Sequence, residues 1–319
     1  MTQSIITATG SYLPEKILTN NDLARMVDTN DAWIRERTGI AERHIAAEGE
    51  FTSHLATRAA QKALEMAGYG ADAIDGIVVA TSTPDSTMPS VASKVQAALG
   101  VPGGAVLDVA AACTGFIYAL SVAHGWIQTG IARRVLVIGA ETMSRILDWT
   151  DRGTCILFGD GAGAVILEAG EDSSRGIRTL ALDAQGDLGP LLGTNGGVST
   201  TKTAGALFME GQEVFRHGVE TMSAMTISTL AKAGLSVGQV DWVVPHQANA
   251  RMIRMIARQI KLPAEKCVVT VGEHANTSAA TIPLALDLAN RDGRLKKQQI
   301  IAMPALGAGL TWGCCVVSW

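Results

Sequence analysis

The sequence predicts an α/β protein built from two copies of one unit, about residues 1–172 and 173–319. Three observations lead there. Strand-like apolar runs alternate with helix-like stretches, the same order of elements occurs twice, and the composition supplies a large core. Apolar residues make up 47% of the 319-residue chain and charged residues 18%. That suits one large domain or two closely packed halves and leaves little material for disorder. Aromatics are scarce at 4% while Ala and Gly are abundant, which fits closely packed helices and tight strand–helix turns.

The repeat is weak in identity but orderly. A helix-like stretch, Ser53–Met66, leads through Ala67-Gly68 and a short loop into the apolar run at 74–79. A second, Glu213–Lys232, leads through Ala233-Gly234 into the run at 240–244. The offsets 233 − 67 and 241 − 75 (Asp75 to Asp241) both give 166. Next, Val106–Val109 enters a helix beginning near Cys113, and Val268–Val271 enters one near Asn276, an offset of 276 − 113 = 163. Arg134–Gly139 then parallels Gln299–Met303, and Ala164–Leu167 parallels Cys315–Val317. Asp183–Leu207 is rich in Gly, Thr, Asn and Ser without a clear period and reads as a functional or mobile loop. Asp28–Ile45 carries mixed charge around Trp33 and reads as an exposed insertion.

Several function classes are excluded. The net charge of -4 gives no global basic field, which argues against nucleic acid as main partner. No apolar run approaches a membrane span, and Met1–Gly10 does not have the pattern of a signal peptide. The five cysteines are odd in number and not in C-x-x-C spacing, so reduced thiols in the cytoplasm are expected, with most of them small core residues. The six histidines show no metal-ligand spacing.

Cys113 lies in Ala110-Ala111-Ala112-Cys113-Thr114-Gly115-Phe116, after a strand and at the start of the helix expected over Gly115–Gln128. The amides and dipole of a helix N-terminus favour a thiolate; equally, a Cys in an apolar run is often a buried core residue. His246 follows the run at 240–244 and precedes the helix expected over Ala250–Gln259. Ligands of α/β sheets gather at that end of the strands, though a lone His there can simply satisfy a loop. Asn276 stands in the second copy where Cys113 stands in the first; its plain alternative is a helix cap. A pseudo-twofold axis between the copies would bring these three together. In a papain-like site Asn orients His and His activates Cys. In a thioester enzyme His and Asn can instead donate to a carbonyl that becomes an enolate.

Two motifs mislead. Gly234-Leu235-Ser236-Val237-Gly238 has the nucleophile-elbow pattern but follows a helix and precedes a strand, the reverse of what the elbow needs. Gly159-Asp160-Gly161-Ala162-Gly163 precedes a strand, so no helix N-terminus faces a phosphate, and it reads as a tight strand entry. Ala305–Gly309, between two strand runs, is either a β-turn or a backbone N–H aimed at a thioester oxygen. Arg251, Arg254, Arg258 and Lys261 line one helix face, an ordinary solvated stripe or a dock for an acidic partner.

The succession Ala112-Cys113-Thr114-Gly115, Phe158–Ala162, Pro245-His246-Gln247-Ala248-Asn249, Asn276-Thr277-Ser278-Ala279 and Gly307–Gly313 resembles β-ketoacyl-acyl-carrier-protein synthase III from end to end. The resemblance implies the thiolase-like fold, two duplicated α-β-α-β-α halves related by a pseudo-twofold axis and usually paired as a homodimer. It implies that Cys113 accepts an acyl group from a short acyl-CoA, acetyl-CoA above all. Malonyl-acyl carrier protein then loses carbon dioxide, His246 and Asn276 hold the enolate oxygen, and the carbanion attacks the thioester, which needs no external cofactor. The backbone amides of Cys113 and Ala308 would form the oxyanion hole. Trp33 and Arg152 would sandwich the CoA adenine, with Thr29 and Arg37 on the nucleotide portion. Gln247, Ala248, Asn249, Ala250 and Arg251 would dock the carrier protein, helped by Arg216 and Arg258. Met88 would reach across the dimer to close the acyl pocket. Leu306 stands where many members have Phe and Ala308 where they have Gly, so with Met88 they bear on acyl-chain choice. A related ketosynthase of secondary metabolism, using malonyl-CoA or an unusual starter, is the alternative.

Overall fold

The computed structural model describes residues 2–319. Five layers, helix–sheet–helix–sheet–helix, follow from the alternation in the sequence. The first sheet runs in the order Gln3–Tyr12, Asp160–Gly170, Arg134–Thr142, Gly76–Ala80 and Ala105–Val109. Its first two pairings are antiparallel and its last two parallel. The second sheet runs Trp242–Val243, Ile300–Gly307, Thr311–Ser318 and Gly176–Ala184, parallel only at the first pair.

Both faces of these sheets are covered, and this is why their strands read as unbroken apolar runs. Ile77 and Val79 turn to the outer helices Thr52–Ala67 and Val91–Leu99, whereas Val78 and Ala80 turn inward. The inner layer is the helix pair Gly115–Thr129 and Thr281–Arg291. Phe116, Ile117 and Leu120 of one and Ile282, Ala285 and Leu286 of the other are buried between the two sheets. Each large side chain buried there contributes about 1.5–3 kcal/mol. Helices Gly211–Lys232 and Ala250–Gln259 cover the outer face of the second sheet. Adjacent Cys314 and Cys315 point to opposite faces, one to those helices and one to the inner layer.

Three expectations change. Val268–Val271 is not a strand: Val243 and Cys267 form a single bridge, and Val271–His274 is already a short helix. The cause lies next door. Pro245 has no N–H to continue the neighbouring strand, and the Gln247 side chain takes over, donating to Pro245 and Val268 carbonyls and accepting from the Thr270 amide. The stretch 183–207 is partly ordered, since Leu192–Thr194 pairs with Leu207–Met209. The insertion is anchored rather than loose: Ile34, Ile40 and Arg43 are fully buried, and the Arg43 guanidinium donates to the Leu18 and Ile156 carbonyls and to the Asn20 side chain.

The inner helices meet through glycines. A Cβ on Gly139, in a first-sheet strand, would lie 2.2 Å from the Ala279 carbonyl oxygen. A Cβ on Gly307, in a second-sheet strand, would lie 2.7 Å from the Cys113 nitrogen. Gly125, inside the helix Gly115–Thr129, meets nothing within 4 Å. Gly139→Ala should therefore cost about 1–3 kcal/mol through overpacking, a fall in Tm of several degrees. Gly125→Ala should raise Tm slightly through its better helix propensity. Thermal unfolding of the two variants checks this, and a Gly139→Ala protein as stable as the parent would refute the close approach.

Candidate active site

Cys113 sits in the short turn Ala112–Thr114 that feeds directly into the helix Gly115–Thr129. The turn is held on the opposite half. The Thr114 hydroxyl donates to the Thr311 carbonyl at 2.9 Å, and Gly307 lets the strand end reach the Cys113 and Thr114 amides. Ala112 just before it has φ +45°, and Ala275 just before Asn276 has φ +56°. Non-glycine residues in this region cost roughly 1–3 kcal/mol each, so the same strained approach recurs at the two matching places.

Asn276 is fixed on both sides. Its amide donates to the Leu157 carbonyl and its carbonyl accepts from Gly159 N. Its side-chain oxygen accepts from Ser278 N at 2.9 Å, which turns the NH2 end toward the cavity it lines. His246 is buried, with its backbone N–H on the Pro304 carbonyl. Its Nδ1 lies 2.7 Å from the Thr281 hydroxyl. No carboxylate supports it, and burial pushes its pKa down to about 3, so the ring is neutral. The Thr281 hydroxyl also lies 3.0 Å from the Ser278 carbonyl. The carbonyl can only accept, so the hydroxyl's one proton goes either there, with Nδ1–H of His246 donating to Thr281, or to Nδ1, which leaves the hydrogen of His246 on Nε2.

Cys113, His246 and Asn276 line one cavity of about 270 Å³. Its remaining wall is mostly apolar and includes Leu192, Leu207, Met209, Phe215, Leu306 and Ala308. The hairpin within the former loop thus forms part of the roof. The helix start does not make Cys113 a resting thiolate. Burial pushes its thiol up to about 12, against the neighbouring Ser278 hydroxyl, which favours the charged form, and with the nearby Glu141 carboxylate adding to the rise. Sequence reasoning missed Ser278 and Glu141. In the sequence Ser278 is only part of a motif and Glu141 one more strand residue; the available signal is a lone acid directly after the apolar run Val135–Ala140. Glu141 is fully buried and accepts from Thr81, Thr83 and the Ser82 amide.

The outlying residues are placed less uniformly. Trp33 is flanked by Arg37 at 4.6 Å and Arg152 at 5.0 Å from its ring centre, and Arg152 also donates to the Asp28 carbonyl. A base between Trp33 and Arg152 needs about 7 Å, two stacking distances, so Arg152 must swing out to admit one. The Thr29 hydroxyl oxygen is buried without a partner.

The expected carrier-protein segment is unevenly exposed. Gln247 is 0% exposed and spent on backbone, and Ala250 is buried against Gly39, so neither side chain is open to a partner protein. Ala248 and Asn249 line the cavity, and Asn249 caps the helix Ala250–Gln259. Arg251, Arg254 and Arg258 are exposed. Arg216 is engaged by Glu213 and Glu220 on its own helix. Met88 is 79% exposed and does not line the cavity within this chain.

A twice-built α/β fold that brings a thiol, a neutral imidazole and a carboxamide to one buried cavity defines a thiolase-like condensing enzyme. Residues 107–186 match the family described as 3-oxoacyl-[acyl-carrier-protein] synthase III, and residues 230–319 match its C-terminal region. The chain is 53% identical over 319 residues to the β-ketoacyl-[acyl-carrier-protein] synthase III of Rhizorhabdus wittichii, with all of both chains covered. The crystal structure of 3-oxoacyl-[acyl-carrier-protein] synthase III from Aquifex aeolicus superposes with a TM-score of 0.94 at 43% identity, again covering both chains fully. The priming β-ketosynthase of the R1128 polyketide pathway superposes at 0.92 with 33% identity, covering 98% of this chain and 96% of that one. The chain belongs to the β-ketoacyl-[acyl-carrier-protein] synthase III family.

The burial of Gln247 offers a test. Gln247→Ala leaves three buried backbone groups short of a partner, each at about 1–3 kcal/mol. It should lower the thermal midpoint markedly, whereas Arg251→Ala should leave it within a degree or so. Equal midpoints for Gln247→Ala and the parent would return Gln247 to the surface role.

Proposed function

We propose that this enzyme opens type II fatty-acid synthesis by condensing a short acyl-CoA, acetyl-CoA in the first place, with malonyl-acyl carrier protein. The single observation that carries the reading is the convergence of Cys113, neutral His246 and Asn276 on one apolar cavity. Cys113 takes the acyl group as a thioester and releases coenzyme A. The malonyl thioester then enters the same cavity and loses carbon dioxide. His246 through Nε2–H and Asn276 through its NH2 donate to the enolate oxygen. The carbanion attacks the acyl-Cys113 carbonyl, whose oxyanion the Cys113 and Ala308 amides receive, and the 3-ketoacyl product leaves on the carrier protein. A water-poor, apolar cavity strengthens both sets of donors and protects the thioester from hydrolysis.

In this reading residues 1–172 supply the nucleophile and the CoA-binding insertion with Thr29, Trp33, Arg37 and Arg152, and residues 173–319 supply His246, Asn276 and the docking face. The exposed cations Arg251, Arg254 and Arg258 suit a strongly acidic carrier protein. A homodimer is supported by the strand Ala105–Val109, which ends the first sheet with one edge unpaired and half-buried Val106, Leu107 and Val109. Pairing there is what would carry Met88 toward a partner's acyl pocket beside Leu306. The acyl-CoA is a substrate, and the steps call on no further cofactor. The five buried free thiols suit the reducing cytoplasm.

Incubation with acetyl-CoA should add one acetyl group to the intact chain, seen by mass, and Cys113→Ala should abolish it. Malonyl-acyl carrier protein should then discharge the acetyl group, while water or malonyl-CoA should do so poorly. Absence of acylation by every short acyl-CoA refutes the reading, and efficient discharge by malonyl-CoA selects the secondary-metabolism alternative. His246→Ala and Asn276→Ala should still acetylate but lose roughly 10²–10³-fold in malonyl decarboxylation. Because His246 is neutral far below its usual range, that decarboxylation should show no ionisation near pH 6.5. Loss of acetylation in either folded variant would overturn this division of roles.

A further inference from the structure

Acylation of Cys113 raises a question that the three residues above leave open. The thiol is held protonated by burial, so its proton must go somewhere as sulfur attacks the acyl-CoA. Among the described residues Cys113 and His246 are the only titratable ones lining the cavity, and the buried imidazole is a very weak base. Behind the wall stands Glu141, fully buried and without a cation partner among the described residues. Ser278 also lines the cavity, and its turn Ser278–Ala280 packs against both the Cys113 turn and the strand Arg134–Thr142 that carries Glu141, which sets its hydroxyl beside the sulfur and the carboxylate alike.

The surroundings of these groups are built for the purpose. The Ser82 amide at 3.0 Å, the Thr83 hydroxyl at 2.6 Å and the Thr81 hydroxyl at 3.2 Å fix the carboxylate. Ser278 is held at φ +50°, with its amide on the Asn276 side chain. Gly139, two residues before Glu141, admits the Ala279 backbone, without which Ser278 could not come so close. The groups facing Glu141 are these hydroxyls, the Ser82 and Ala279 amides and the Cys113 thiol. Burial outweighs the hydrogen bonds and raises the acid to about 7, where a carboxyl group both takes and returns a proton.

Resting on the reading of Cys113 as the acyl carrier, we propose that Ser278 and Glu141 form the proton relay of the acylation half-reaction. As Sγ of Cys113 bonds to the acyl carbon, its proton passes to the Ser278 oxygen while the Ser278 proton passes to the Glu141 carboxylate. When the carbon–sulfur bond to coenzyme A breaks, the same two steps reversed deliver the proton to the departing thiolate. No net proton or electron is gained or lost. Ser278 touches the reacting sulfur; Glu141 acts through it as a positioning residue and proton store.

The test is the pH profile of single-turnover acetylation by acetyl-CoA, read by intact mass, in the full-length enzyme. The parent should gain rate as pH rises through about 7, where Glu141 ionises. Glu141→Gln should lose roughly 10²-fold and this rise together, and Glu141→Asp should restore part of both. Ser278→Ala keeps the carboxylate and should show the same loss, so it carries the test if Glu141→Gln does not fold. A folded Glu141→Gln enzyme that acetylates as fast as the parent, or faster and at lower pH because a repelling charge is gone, overturns the relay and leaves Cys113 as the acyl carrier. A parent enzyme that is never acetylated overturns both.

Discussion

The backbones of the two halves touch where Gly307 meets the Cys113 amide and Gly139 meets the Ala279 carbonyl, approaches that leave no room for a Cβ. The rest of the structure depends on these contacts. They set the inner helices at a fixed spacing between the sheets and bring their N-terminal turns face to face. The turns carry Cys113 on one side and Asn276 and Ser278 on the other. Without the close approach the three side chains would belong to separate surfaces, and the cavity would have no floor.

Burial at that junction then sets the charge states. The cavity lining is largely apolar, so charged forms are disfavoured unless a partner is built in. His246 has only a hydroxyl and stays neutral, the state that suits a hydrogen-bond donor. Cys113 stays protonated although it opens a helix, because lost solvation outweighs the helix terminus. Glu141 has hydroxyls and amides around it and no cation, so it is raised without being silenced. One physical cause, removal of water, thereby sets the charge states of three different groups.

The periphery follows other rules. The mixed-charge insertion is bolted down by Arg43 through carbonyl oxygens rather than through an ion pair, which leaves Arg37 exposed over Trp33, where Arg152 from outside the insertion joins it. Of the basic helix stripe, the outward cations remain free for a partner, while Gln247, next to His246, is consumed in replacing a missing strand.

Much of this was legible in the chain itself. Periodicity and the offset repeat gave the layers and most element bounds, the helix Ala250–Gln259 among them, because both depend on local pattern. The repeat also paired Cys113 with Asn276 before any geometry was known. Local pattern could not show that Val268–Val271 gives up its strand, since that follows from Pro245 and Gln247, remote in sequence from it. Nor could it reveal Glu141, which is chemically ordinary until folding strips its water and sets Ser278 beside it. The sequence by itself determined which side chains are available and which elements carry them. Only the tertiary structure decided which become neighbours and which lose their solvent, because proximity and desolvation arise from contacts between residues far apart in the chain.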